Sequence, residues 1–159
     1  MVSYTTLKKD ILEYVRNKLR NDSNLCVTIL GMSGTTDAIN HIFIKRPADE
    51  KLNPSGQPNF KLPRIVIDLV GEDRGFVGTN LAGFYSTSVD VNISFWVTER
   101  PWDLSVKASD RIENLFEDDT PEITNGFGHF KVLFSDDIQD PDRTQTRMGS
   151  IRIRASVQA

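Results

Sequence analysis

One cysteine, Cys26, is all the thiol the chain has, so an internal disulfide and a cysteine cage for zinc are both excluded. Its neighbours Leu25 and Val27 are apolar, which marks Cys26 as a small buried hydrophobe rather than a reactive group. Histidine is almost as scarce. His41 and His129 stand isolated, and each reads as a structural or exposed histidine before it reads as a catalytic base. A His-Glu-x-x-His helix and a Gly-x-Ser-x-Gly elbow are absent. The glycine-containing stretches fail as phosphate loops: Gly31-Met32-Ser33-Gly34-Thr35-Thr36 has no lysine to neutralise phosphates, and Gly126-Phe127-Gly128 has no third glycine. Uncharged runs such as Leu25 to Met32 fall far short of the roughly 18 residues a membrane helix needs. Charge of one sign is lacking too. Nineteen Lys and Arg against 22 Asp and Glu leave a net charge of -3, so there is no general attraction to a phosphate backbone, and any contact with DNA is local. Met1 to Thr6 carries no basic segment leading into an apolar one, so nothing marks the chain for secretion and the expectation is a protein made in the cytoplasm of its producing cell.

What is present is ordinary globular material: 159 residues, 38% hydrophobic and 26% charged, the size and composition of one domain spanning 1–159. Leu7, Ile11, Tyr14, Val15 and Leu19 recur at helical spacing against Lys8, Lys9, Glu13, Arg16 and Lys18. This predicts an amphipathic helix capped by Thr5 or Thr6 and ended near Asn21-Asp22-Ser23-Asn24. The apolar run Leu25 to Leu30 is too short to assign by period. Ile42 to Lys45 and Arg64 to Val70 read as strands, separated by a long loop at 46–63 that carries Pro47, Pro54, Gly56, Pro58 and Pro63. A second connection at 71–83 is spaced by glycines. The strongest signal follows: Tyr85, Thr87, Val89, Val91, Ile93, Phe95 and Val97 alternate with polar or small residues, which predicts a half-buried strand whose odd positions face the core. Leu104, Ala108, Ile112, Leu115 and Phe116 then describe a second helix, with Asp103 placed to cap it. Phe130 to Phe134 and Ser150 to Val157 complete the order as strands.

Strands joined by loops rather than crossover helices favour antiparallel pairing. The expected fold is therefore α+β: a mainly antiparallel sheet of about four to five strands with two amphipathic helices packed on one face, in the order α-β-β-β-α-β-β.

Two patterns bear on chemistry. Asp136, Asp137, Asp140 and Asp142 cluster in what reads as a loop, but without the alternate spacing and glycine of a calcium loop, so a solvated turn rigidified by Pro141 is the simpler reading. The element order also matches the core of magnesium-dependent nucleases, with Asp68 as a first metal ligand. There the next strand offers Asp90-Val91-Asn92, and the lysine that would steady the attacking water is missing. A nuclease stays as the alternative, with structural work the preferred reading and no cofactor implied.

Taken together, Lys61-Leu62-Pro63-Arg64-Ile65-Val66-Ile67, Tyr85 through Val97 and Ala108 through Phe116 give the chain a pattern that resembles phage tail terminator and tail completion (head-tail joining) proteins. The resemblance implies a homo-oligomeric ring, commonly a hexamer, that caps the tail tube at the tail-neck junction of the virion and offers a surface to the head-neck complex. Implied partners are copies of the chain, the tail tube protein and neck or head-completion proteins, with DNA only as it passes the channel and no membrane. Another neck or head-completion protein is the neighbouring alternative. The 46–63 loop is longer than the resemblance leads one to expect, which marks it as a docking element of its own lineage.

A ring needs side chains that pack on a neighbour, and interface cores favour aromatic residues. Phe60, Phe76, Phe84 and Trp102 in loops, and Trp96 on the polar side of the long strand, are the candidates. Arg152 and Arg154 project from one face of the last strand, with Arg147 just before it; a solvated face that protects an edge strand is the simpler reading, and the alternative is a basic surface that meets the acidic residues Asp136, Asp137, Asp140 and Asp142 of the next copy.

Overall fold

In the computed structural model, the described residues are 4–44, 62–70, 76–79, 85–121, 127–140 and 145–158. Helix α1 (Tyr4–Arg20) is followed by a π-helical segment (Asn24–Ile29), a short 3-10 turn (Asp37–Asn40) and strands β1 (Ile42–Ile44), β2 (Arg64–Leu69), β3 (Phe76–Thr79) and β4 (Tyr85–Thr98). Helix α2 (Leu104–Phe116) then leads to β5 (Phe127–Gln139) and β6 (Thr146–Gln158). The strands form one six-stranded sheet in the order β1-β2-β4-β6-β5, with β3 paired to the beginning of β4. Among the described residues only β1 and β2 run parallel, and every other pair is antiparallel. The fold is α+β, as the periodicities predict.

The alternation along β4 decides which face is dry. Val89, Val91, Ile93, Phe95 and Val97 are buried, and register carries the same face to Ile65 and Ile67 of β2, Ile151, Ile153 and Ala155 of β6, and Phe130 of β5. Both helices lie on that face: α1 against β1 and β2 through Leu7, Ile11, Val15 and Leu19, and α2 against β4, β5 and β6 through Ala108, Ile112 and Phe116. Each fully buried large side chain, Phe95, Phe116 and Phe130 among them, stabilises the fold by about 1.5–3 kcal/mol relative to exposure.

Polar bonds fasten the helix layer. Asp22, just past α1, accepts two bonds from Arg111 of α2, both 2.8 Å, and a third from the Leu25 backbone N–H at 3.0 Å. The Arg111 guanidinium holds the Asp22 carboxyl below the usual carboxylate range. Tyr14 donates to Asp119 at 2.7 Å, and Lys18 reaches the same carboxylate at 2.8 Å. Burial, then the Asp119 bond and charge, push the Tyr14 phenol well above its ordinary value.

The structure departs from the sequence reading at several places. The ambiguous run Leu25 to Leu30 is mainly π-helix, with Leu25 and Cys26 buried; burial pushes the Cys26 thiol up to about 11, in keeping with an inert core residue. Gly31 at φ +71° ends this segment, in the left-handed region glycine enters freely. Thr5 and Thr6 fall inside α1 rather than at its cap. Asp103 holds the N-cap position of α2 without a side-chain capping bond, its carboxylate instead 3.0 Å from Lys107. Within the 71–83 connection, Phe76–Thr79 forms a strand. Strand β5 runs on to Gln139, so Asp136 and Asp137 lie in regular ladder positions and not in a turn.

Candidate functional site

Neither helix covers the second face of the sheet, and that face is organised in rows by strand register. The first row runs Arg64, Trp96, Met148, Ile138 across β2, β4, β6 and β5. The second runs Val66, Ser94, Ser150, Asp136; the third Asp68, Asn92, Arg152, Phe134; and the last pairs Asp90 with Arg154. Apart from Arg64, every one of these side chains retains solvent exposure. An antiparallel sheet can leave one face wet, and most of this one is built for it.

Charge on the face is partly settled within the chain. Arg154 makes a two-pronged pair with Asp90, Nε to Oδ1 at 2.7 Å and Nη2 to Oδ2 at 3.1 Å. Ser150 donates to Asn92 Oδ1 at 2.8 Å, and Asn92 Nδ2 donates to Ser94 Oγ at 2.9 Å. Arg64 lies with its guanidinium carbon 5.8 Å from the Phe43 ring centre. The Arg152 guanidinium carbon sits 4.8 Å over the Phe134 ring, and its Nε is buried with no hydrogen-bond partner among the described residues. Among the described residues no carboxylate lies within ion-pair distance of Arg152.

Strand β5 forms the outer edge beside this site. Upstream the edge is occupied, since the Phe130 N–H donates to the Asp119 carbonyl at 2.7 Å and the Val132 N–H to the Glu117 carboxylate at 2.9 Å. An irregularity follows between Val132 and Phe134, where Leu133 is the extra residue. Beyond it stand Phe134, 45% exposed, and Ile138, 43% exposed, with Leu133 also open to solvent.

The sequence-derived candidates are thus dispersed. Trp96, Arg152, Arg154 and Asp136 share the open face. Arg147 turns to the other side and bonds Asp137 at 3.3 Å, a carboxylate that also accepts from Ser105 of α2 at 2.7 Å. Asp140 is buried at the end of β5, its N–H on the Thr146 carbonyl at 2.9 Å. Trp102, 82% exposed, precedes α2 on the far side, with Val106 exposed one turn on. Phe76 falls in β3 but its side chain is outside the described residues, as are Phe60, Phe84 and Asp142 entirely. The Phe134 and Ile138 pair was not anticipated; its signal was their spacing on one side of a strand, obscured by the acidic residues between them.

The residues considered for catalysis are held structurally or lie apart. His41 is buried, with Nδ1 2.7 Å from the Pro63 carbonyl and Nε2 3.4 Å from Asp37. His129 lies at the surface 3.4 Å from Asp118. Asp68 is exposed on β2, its Oδ1 accepting from the Leu69 N–H at 2.9 Å. Among the described residues no group of three or more His, Cys, Asp or Glu side chains is placed to hold a metal ion. No helix among them is long and apolar enough to cross a membrane.

These features define a class by architecture: an α+β protein whose described residues form one sheet with two α-helices on one face and leave the other face uncovered. No family model and no curated protein matches the chain. A solved chain described as "Virion of native gene transfer agent (GTA) particle" shares the fold, with a TM-score of 0.66 and 14% sequence identity, covering 99% of this chain and 100% of that one. At that identity the likeness is one of fold.

Proposed function

We propose that the chain is a structural protein of a phage-like virion and, within that class, the ring-forming terminator that caps the tail tube and receives the head-neck complex. The observation that carries this reading is the end-to-end fold likeness to a chain of a gene transfer agent virion, which spans both chains almost completely. The open sheet face and the exposed apolar side chains of β5 and of the α2 start support it, since a capping ring works through packing surfaces. A hexamer, contacts with tube and neck proteins, and DNA passing only through the channel belong to the same proposal. So do its single-domain organisation and a role without cofactor or catalysis.

Deleting the gene tests it. A cap stops tube growth and supplies the head's docking surface, so its loss gives tails of uncontrolled length separated from filled heads in electron micrographs. Particles of normal length and attachment would contradict the terminator assignment.

A further inference from the structure

The third row of the open face carries opposite charges toward its two sides, Asp68 on β2 and Arg152 on β6 beside Phe134. At the β5 side, Arg152 leans over Phe134, away from Asn92 and toward the sheet edge, and lacks a carboxylate partner among the described residues. At the other side, Asp68 is exposed and, among the described residues, accepts only the neighbouring backbone N–H of Leu69. The parallel pairing of β1 reaches only Ile67, so among the described residues β2 is the edge strand at Asp68. The guanidinium charge of Arg152 has no carboxylate opposite it among the described residues, and a partner's carboxylate that reaches its terminal nitrogens supplies a charge-assisted bond. Arg147 and Arg154 offer no such deficit, being paired with Asp137 and Asp90.

We infer that the edge of one copy carrying Arg152 and Phe134 docks on the β2 side of a second copy, where Asp68 receives Arg152. The occupant is another copy of this chain because each molecule carries both complementary ends. Joining unlike ends is a heterologous contact, the kind that closes rings when the rotation permits. The inference rests on the ring reading above and names its contact. Asp136 is the competing acceptor: it lies on the same edge as Arg152, and its use would join two like edges into a closed pair.

Charge reversal separates these. Association is measured by sedimentation and light scattering at low salt for Arg152→Glu, Asp68→Arg and Asp136→Arg, with thermal melting to confirm folding. Arg152→Glu alone and Asp68→Arg alone are expected to weaken self-association about tenfold or more. Mixed in equal amounts they recover it, because alternating copies then present opposite charges at every contact. Asp68→Arg without effect, a mixture that stays dissociated, or wild-type protein that remains monomeric across the accessible concentration range overturns the inference. Weakening by Asp136→Arg in place of Asp68→Arg overturns it in favour of the two-fold contact. Immunogold labelling of particles decides the virion reading separately, so loss of this contact and loss of that reading are told apart.

Discussion

The ring of Phe95 lies directly over Gly149, its register partner on β6, so closely that a Cβ at position 149 would stand 2.0 Å from the Phe95 Cζ. Phe95 is fully buried, so the ring cannot swing into solvent. Gly149→Ala is expected to destabilise the protein by about 2–3 kcal/mol, the upper part of the roughly 1–3 kcal/mol that overpacking a core costs. Urea denaturation reads this, and adding Phe95→Leu to Gly149→Ala should return part of the loss.

Asp22 and Arg111 join the turn after α1 to α2. Arg111→Met should cost about 1–2 kcal/mol, toward the low side because Arg111 is partly exposed. The pH dependence has a definite sign. The folded-state carboxyl lies below its unfolded value, so its contribution is complete above the ordinary aspartate value of about 3.9 and fades as pH falls through the folded value. Denaturation midpoints measured below neutral pH should show a shallower acid loss in Asp22→Asn, which begins from lower stability.

The unpaired position of Arg152 predicts a separation of folding from assembly. Arg152→Met keeps an apolar stem on Phe134 and removes a nitrogen without an acceptor, so stability of the isolated chain should change by no more than about 0.5 kcal/mol. Arg154→Met leaves Asp90 without its two-pronged partner and should cost more, about 1 kcal/mol. Paired denaturation curves of the two variants check the order.

Trp102 touches little of its own fold at 82% exposure. Trp102→Ala should leave the melting temperature unchanged while weakening attachment to a tube or neck partner. Its emission should move to shorter wavelength on assembly, with Trp96→Phe as the background in which Trp102 is the sole tryptophan.

Much of the fold was legible because burial here follows period. The odd positions from Val89 to Val97 are dry, and the apolar stripes of α1 and α2 are the ones that pack on the sheet. The second half of β5 was not. Ser135, Asp136 and Asp137 have turn-like side chains, and what holds Asp137 in a strand is Ser105 and Arg147, neither of them a near neighbour in sequence. The same distance hid the site. That Arg154 is neutralised by Asp90 while Arg152 rests on Phe134 depends on strand register, which no local pattern encodes. The aromatic residues singled out from composition remain proposals for contact, Trp96 on the open face and Trp102 at the start of α2.

The central claim is that the chain acts as a building block of a virion. Immunogold labelling of purified particles carrying an epitope tag on this protein tests it most directly. Gold is expected at a single position, where tail meets head; intact particles devoid of label, with the tagged protein free in the lysate, would contradict a role in the virion.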